Sequence, residues 1–161
     1  MREVRINTQE KLKDSPVEFW TEFLKRMNLE SSLFKKVKPG ALNRKYIHGL
    51  TDISGVSLGL SVVKTSARPE LYIDTKIQKK NKFIFDELLN CRDEIEKQFE
   101  ESFDWRSLDD KAASRIIAPI MISASFLNKD NWNKMIDFMV DSILRMEKAF
   151  KEPLSRVKLK L

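Results

Sequence analysis

The spacing of apolar residues changes in the middle of the chain, and this change constrains the fold more than any other feature. Over residues 56–65 apolar side chains occupy alternate positions, and the alternation returns over residues 70–76. Over residues 79–101 apolar side chains instead recur at every third or fourth position. A period of two places alternate side chains on opposite faces of a strand, whereas the longer period is that of an amphipathic helix. The sequence therefore predicts two strands followed directly by a helix.

The two predicted strands are joined by a short turn over residues 66–69. Strands joined by so short a connection pair as an antiparallel hairpin. Upstream, Ser15 and Pro16 followed by Glu18 form a helix-start signal of the capping-box type. They predict a first helix that ends near Asn28.

The remaining segments complete an alternating order of helices and strands. Further strands are predicted at residues 46–50, 103–108 and 113–122, and a last helix follows Asn128 and ends at Pro153. This pattern predicts an α+β fold with a mostly antiparallel sheet of about five strands and three main helices, in the order α-β-β-β-α-β-β-α. We expect one domain over residues 1–161, with a loose arm at 1–13 and a basic tail at 157–161.

Composition narrows the class of protein. Of 161 residues, 42% are hydrophobic and 34% are charged, which is typical of a soluble folded domain. The single cysteine, Cys91, excludes an intrachain disulfide and a zinc site built from several cysteines. No apolar run reaches the roughly 18 residues of a membrane span, and the N-terminus lacks a signal-peptide core. We expect a cytoplasmic protein with no membrane contact, metal or cofactor.

The charge balance favours an anionic partner, with nucleic acid first. The net charge is +6, and lysines cluster before the first predicted strand and at the start of the central helix. The predicted phosphate-contacting residues are Lys35, Lys36, Lys38, Lys79, Lys80 and Lys82. Tyr46, beside the first cluster, could stack on a base. The alternative is that these lysines lie on ordinary solvated surface.

A second hypothesis concerns nuclease chemistry. The segment Asp74-Thr75-Lys76 matches the (Asp/Glu)-x-Lys signature of restriction-endonuclease-like enzymes, and the order of elements is similar to their core. A second acid, Asp52 or Glu70, would have to complete a Mg²⁺ site, with Lys76 supporting the attacking water. The same residues are also ordinary charges at the end of a strand, so this pattern leaves both interpretations open.

The single histidine, His48, has no accompanying catalytic pattern and is interpreted as structural. A polar cluster is a better candidate. The alternation places Glu70, Tyr72 and Asp74 on one face of their strand. We expect Arg115, the nearest counter-charge, to pair with one of the two carboxylates inside the fold.

Several segments together resemble one known family. They are Phe19-Trp20-x-x-Phe23, Pro69-Glu-Leu-Tyr-Ile-Asp, Asn81-Lys-x-Ile-Phe-Asp-Glu-Leu and Asn128-Lys-Asp-Asn-Trp. Spread over most of the chain, they are similar to the domain of unknown function 4268 family of bacteria and archaea. The resemblance implies an association with nucleases in restriction or defence, and no settled activity.

Together these observations predict a non-catalytic accessory or recognition domain that contacts nucleic acid or a nuclease partner in a restriction or defence setting. One alternative is a minimal Mg²⁺-dependent nuclease that uses Asp52, Glu70, Asp74 and Lys76. A second alternative is a protein-interaction or oligomerisation module.

Overall fold

A computed structural model describes residues 15–63, 65–107 and 113–161 of the chain. The helices in these ranges are α1 (Val17–Glu30), α2 (Gln78–Asn90), α3 (Arg92–Phe99) and α4 (Trp132–Leu159). The strands are β1 (Tyr46–Leu50), β2 (Val56–Val62), β3 (Ser66–Ile73), β4 (Asp104–Arg106), β5 (Ser114–Ile117) and β6 (Met121–Ile122). The predicted arm at residues 1–13 lies outside the described residues.

The strands form one antiparallel sheet in the order β1-β2-β3-β5-β4, and β6 pairs with the start of β3. The predicted α+β class is therefore confirmed. The predicted hairpin is also confirmed, because β2 and β3 pair antiparallel with Leu58 opposite Leu71. The helices cover one face of this sheet, since α2 and α4 both contact β3.

Alternation along the strands separates the two faces of the sheet. Leu58, Leu60, Leu71 and Ile73 point toward the helices, and all four are buried. Apolar residues from the helices and from β2 and β3 share one core; they include Trp20, Leu58, Leu60, Ile73, Leu88, Ile95, Ile136 and Ile143. The residues between them on each strand form the opposite face, which we call the open face.

The turn between β1 and β2 requires a glycine. Gly55 has a φ of +86°, and a Cβ added there would lie 2.6 Å from the Cα of Thr75. The backbone N–H of Asp74 also donates to the Gly55 carbonyl at 2.8 Å. A left-handed conformation without a side chain thus lets this turn pack against the end of β3.

The predicted central helix is two helices. It ends at Asn90, passes Cys91 with a φ of −98° and a ψ of 13°, and restarts at Arg92. The break changes the direction of the apolar stripe, so that Ile95 and Phe99 are fully buried while α3 packs along α4. Periodicity does not show such a break, because the apolar spacing continues across it.

The prediction for the end of the last helix was wrong. Helix α4 continues through Pro153 to Leu159 and includes residues 157–159 of the predicted basic tail. Proline removes one helical hydrogen bond, but Leu154 and Val157 beyond it are buried. Two ion pairs also fix this end, from Arg156 to Glu94 and from Lys160 to Glu87, each at 2.6 Å. Tertiary packing therefore outweighs the local effect of the proline.

The first helix start was also mispredicted in detail. Helix α1 begins at Val17 after Pro16, which offers no side-chain cap, and the Ser15 hydroxyl donates to the Asn43 side chain at 2.9 Å. Glu18, the second half of the predicted capping box, instead pairs with Lys129 at 2.7 Å. The helix ends at Glu30 rather than near Asn28.

The strand predicted over residues 113–122 is divided. Residues 114–117 form β5, and residues 121–122 form β6 on the other half of β3. Pro119 lies between them and has no N–H to donate to a ladder. The pairing with β3 is therefore interrupted at a residue that cannot donate a backbone hydrogen bond to the ladder.

Candidate functional site

The main concave surface follows strand β1, which is an edge of the sheet. Two adjoining clefts of about 700 and 490 Å³ lie along it, one toward the loop that precedes β1 and one toward α4. Their shared lining residues are Leu33, Leu50, Thr51, Asp52 and Glu147. We call this continuous surface the edge groove. Each of its two clefts has a volume in the range of ligand-binding clefts, about 300–1,000 Å³.

Five cations line the edge groove and come from separate parts of the chain. They are Lys36, Lys38, Arg44, Lys148 and Lys151. Within the described part of the chain, none of the five forms an ion pair with a carboxylate. The acids of the groove are Asp52 and Glu147, and Glu147 accepts a hydrogen bond from the Ser31 hydroxyl at 2.9 Å. The groove therefore carries excess positive charge.

The segment before β1 is held in place from the core side. The indole N–H of buried Trp20 donates to the carbonyl of Arg44 at 2.7 Å. A short 3-10 turn, Pro39–Asn43, precedes this point and buries Leu42. These contacts fix Arg44 beside the start of β1, so that its guanidinium lies 5.9 Å from the ring centroid of Tyr46.

The excess charge is regional along the chain. Residues 31–82 contain eleven Lys and Arg against three Asp and Glu, whereas residues 83–161 contain thirteen against fifteen. In the second region many of the charges pair with one another. Arg145, for example, contacts Asp141 and Glu101, each at 3.0 Å. The positive charge of the protein is therefore concentrated in the part that forms β1 to β3 and most of the edge groove.

An aromatic row crosses from the edge groove onto the open face. The ring centroids of Tyr46 and His48 are 5.5 Å apart, and those of His48 and Tyr72 are 5.7 Å apart. We call these three side chains the aromatic row. An arginine lies at each end, since the Arg115 guanidinium is 4.9 Å from the Tyr72 centroid and Arg44 is beside Tyr46.

A glycine makes room for the middle of this row. His48 pairs with Gly59, and Gly59 pairs with Glu70 on the next strand. A Cβ on Gly59 would lie 2.9 Å from Nδ1 of His48, so the imidazole lies directly over this glycine. Burial lowers the pKa of His48 below its ordinary 6.5; nearby Glu70 opposes this effect and Arg115 reinforces it. The imidazole is therefore mainly uncharged at neutral pH.

His48, Ser57 and Glu70 do not form a hydrolytic triad. Ser57 Oγ lies 3.1 Å from Nδ1 of His48, but Ser57 is only 8% exposed. The carboxylate that would orient the histidine is instead bound by Arg115, whose Nη1 donates to both oxygens of Glu70 at 3.0 and 3.1 Å. A nucleophile has to be reachable and its base oriented by a third group. The three residues are thus parts of the scaffold under the aromatic row.

The predicted pairing of Arg115 with a carboxylate of β3 is confirmed for Glu70. Glu70 is 5% exposed. A second arginine is also near it, since Nε of Arg68 lies 3.6 Å from Oε2 of Glu70. Asp74 pairs instead with Lys76 at 2.6 Å. Hydrogen bonds from Lys76, and to a smaller extent from the Tyr72 side chain, hold the pKa of Asp74 below its usual range. The predicted polar cluster thus exists as two neighbouring pairs on either side of Tyr72.

The residues of the nuclease hypothesis are spread over this surface. Asp74 lies four residue steps of extended chain beyond Glu70, about 13 Å at the usual rise. Asp52 is exposed in the turn after β1, and Lys76 has a left-handed φ of 67° beyond the end of β3. Among the described residues, no three His, Cys, Asp or Glu side chains are grouped so that they could hold a metal ion. The nuclease alternative stays a prediction.

The structure separates the predicted lysines into two groups. Lys36 and Lys38 line the edge groove, and Lys35 is an exposed neighbour outside its lining. Lys79, Lys80 and Lys82 lie on the first turns of α2 and do not line the groove, and Lys82 pairs with Asp86 at 3.0 Å. A single surface formed by all six remains a prediction.

Two groove cations and two rings of the row were missed in the sequence. Lys148 and Lys151 are three residues apart on α4 and are exposed, but no local signal shows that this turn passes the edge of the sheet. His48 and Tyr72 come together only through the register of β1, β2 and β3. Alternation around Gly59 is the one sequence signal that could have suggested that another side chain lies over this strand, because a strand glycine often marks close approach of another group.

Comparison with known proteins gives one match. Residues 16–154 match the family model of DUF4268, a domain of unknown function, which confirms the resemblance seen in the sequence. Neither a curated protein nor a solved structure matches the chain. Among the described helices, none has the length and apolar character needed to cross a membrane.

Proposed function

We propose that this chain, which belongs to the DUF4268 family, is a non-catalytic recognition domain that binds nucleic acid along the edge groove. The observation that supports the proposal is that five cations without a carboxylate partner among the described residues converge on one continuous groove. Phosphate oxygens supply the missing counter-charge, and release of their counterions drives such binding. The proposed role is to present nucleic acid to a nuclease-like partner, in the restriction or defence setting that the resemblance implies.

The contrast with the helical side of the molecule supports a ligand rather than general solubility. Several cations there contact carboxylates, as in Arg156 with Glu94 and Arg145 with Asp141. Lysines from the segment before β1 line one of the two adjoining clefts of the edge groove, and lysines from α4 line the other. Cations held close together repel one another, so a site that assembles them is stabilised by an anion between them.

The β1 edge also permits a different partner. The Lys45 carbonyl accepts from the Val62 N–H and the Thr51 N–H donates to the Val56 carbonyl, so the alternate residues between Lys45 and Thr51 direct their backbone groups away from the sheet. A peptide strand could pair with such an edge, as in a protein-interaction module. Unpaired cations favour nucleic acid as the occupant, and the test below separates the two.

The test measures binding of labelled single-stranded and duplex oligonucleotides at several salt concentrations. The double variant K36E/K38E should weaken binding at least tenfold. The slope of log affinity against log salt should become shallower by the equivalent of about two phosphate contacts. K79E/K80E is the matched control, because it makes the same charge change on α2 outside the groove. It should weaken binding much less than K36E/K38E does.

Each other outcome points elsewhere. Equal losses in both double variants would show that net charge, not the groove, controls binding. An absence of binding even at low salt would refute the proposal and favour the interaction module. Mg²⁺-dependent cleavage that is lost in D74A would establish the nuclease alternative.

A further inference from the structure

We infer that the nucleic acid bound by this protein is single-stranded, with its bases stacked against the aromatic row while its phosphates follow the edge groove. This inference rests on the proposed function and adds the class of substrate. It also assigns a role to Tyr46, His48 and Tyr72 on the open face.

The row and the groove are one surface. Tyr46 and His48 line the edge groove together with Lys36, Lys38 and Arg44. From there the row continues to Tyr72, two strands away on β3. Rings beside cations are the two elements that single-strand binding surfaces combine, since cations follow the backbone while rings stack on bases.

Tyr46 is the entry point of the row. Its side chain is 47% exposed, in contrast to the half-buried His48 and Tyr72 behind it. The His48 ring, in an edge-to-face arrangement, and the Arg44 guanidinium both contact the tyrosine ring. A ring that is exposed yet positioned by its neighbours loses little conformational entropy when a base stacks on it.

The acids of the open face do not oppose this ligand. Glu70 is buried and bound by Arg115, and Asp104 pairs with Arg106 at 2.7 Å. Arg68, Arg106 and Arg115 thus offset the carboxylates along the path beyond Tyr72. The remaining charge of this path is complementary to a phosphate backbone.

A single strand fits this surface better than a duplex. Paired bases are stacked on one another inside a duplex, so only unpaired bases expose a face to a protein ring. The row also lies on a sheet rather than on a projecting helix or ribbon of the kind that enters a major groove. Both considerations select unpaired bases.

The experiment compares three ligands of equal length on the full chain: a single strand, the matching duplex and an abasic strand that keeps the phosphates. We expect the single strand to bind at least tenfold tighter than the abasic strand. Y46A should remove most of this difference and leave abasic-strand affinity unchanged, whereas Y46F should retain it. F83A, which removes an exposed ring on α2, serves as the matched control and should bind as the wild type does.

The outcomes separate this inference from the proposed function. Equal affinity for duplex and single strand, with Y46A unaffected, would overturn the inference while a loss in K36E/K38E would still support the groove. An absence of binding to all three ligands would overturn both. If Y46A fails to fold in a thermal melt, Y46L keeps the apolar contacts without the ring and decides the same question.

Discussion

The two faces of strand β3 serve different purposes, although their residues alternate along one short segment. Leu71 is fully buried under the helices, while its neighbour Tyr72 is half-buried on the open face against His48 and Arg115. The core face consists of aliphatic side chains without polar partners. The open face consists of rings, arginines and one buried carboxylate. Because side chains alternate in a strand, stability and recognition can be varied almost independently in adjacent residues.

The most disruptive change should be on the core face. Leu71→Ala leaves a cavity beneath the sheet and should lower the free energy of unfolding by about 2–5 kcal/mol. Chemical denaturation measures this loss. Y46A on the open face should lower the free energy of unfolding by under about 1 kcal/mol, as surface substitutions usually do. Similar losses in the two variants would contradict the division between the faces. Affinity of folded L71A for the single strand should be unchanged.

The open face should show an intermediate effect where it contains a buried charge. Arg115→Ala leaves Arg68 as the one described cation that forms an ion pair with the Glu70 carboxylate, and Arg115 is 32% exposed. We expect a loss of about 1–3 kcal/mol, below the range for fully buried pairs.

A double-mutant cycle with E70Q sharpens this prediction. If the loss comes from a stranded carboxylate, R115A should cost less in the E70Q background than in the wild type. Additive losses would show that Arg115 acts through Tyr72 rather than through Glu70.

The smallest effect should be a pH dependence that belongs to the open face alone. The pKa of His48 is lowered by burial, so the unfolded state binds a proton more readily than the folded state does. Stability should therefore fall as pH decreases through the ordinary histidine value of 6.5 toward the lower folded value. Asp74 also has a lowered pKa, but its effect on stability begins only as the pH falls to its ordinary value near 3.8, below the pH range in which His48 acts.

The measurement is a set of denaturation curves between neutral and mildly acidic pH. His48→Gln should remove the dependence of unfolding free energy on pH in that range. The stability that the wild type loses over this range should be smaller than the loss caused by R115A. A wild-type stability that does not change over the same range would show that the imidazole is protonated as easily as in the unfolded chain.

Much of the fold was predictable because local periodicity determines it. Alternation in β2 and β3 indicated the hairpin and the core side of Leu71 and Ile73, and both are as expected. The order of helices and strands followed from the same kind of signal. The sequence-based prediction was wrong where the local preference of a residue and its tertiary packing favour different structures. Pro153 predicts a helix end on its own, but burial of Leu154 and Val157 keeps the helix intact.

The candidate site depended far more on tertiary structure. The sequence by itself determined that lysines cluster before β1, that Glu70 and Tyr72 share a face, and that Arg115 needs a carboxylate. Only the fold decided that Lys36 and Lys151 line adjoining clefts of the edge groove, and that His48 lies over Gly59 beside Tyr72. Secondary-structure periods arise from neighbouring residues and are visible in a sequence. The register of strands and the path of a helix past a sheet edge arise from the packing of distant segments, which no local pattern encodes.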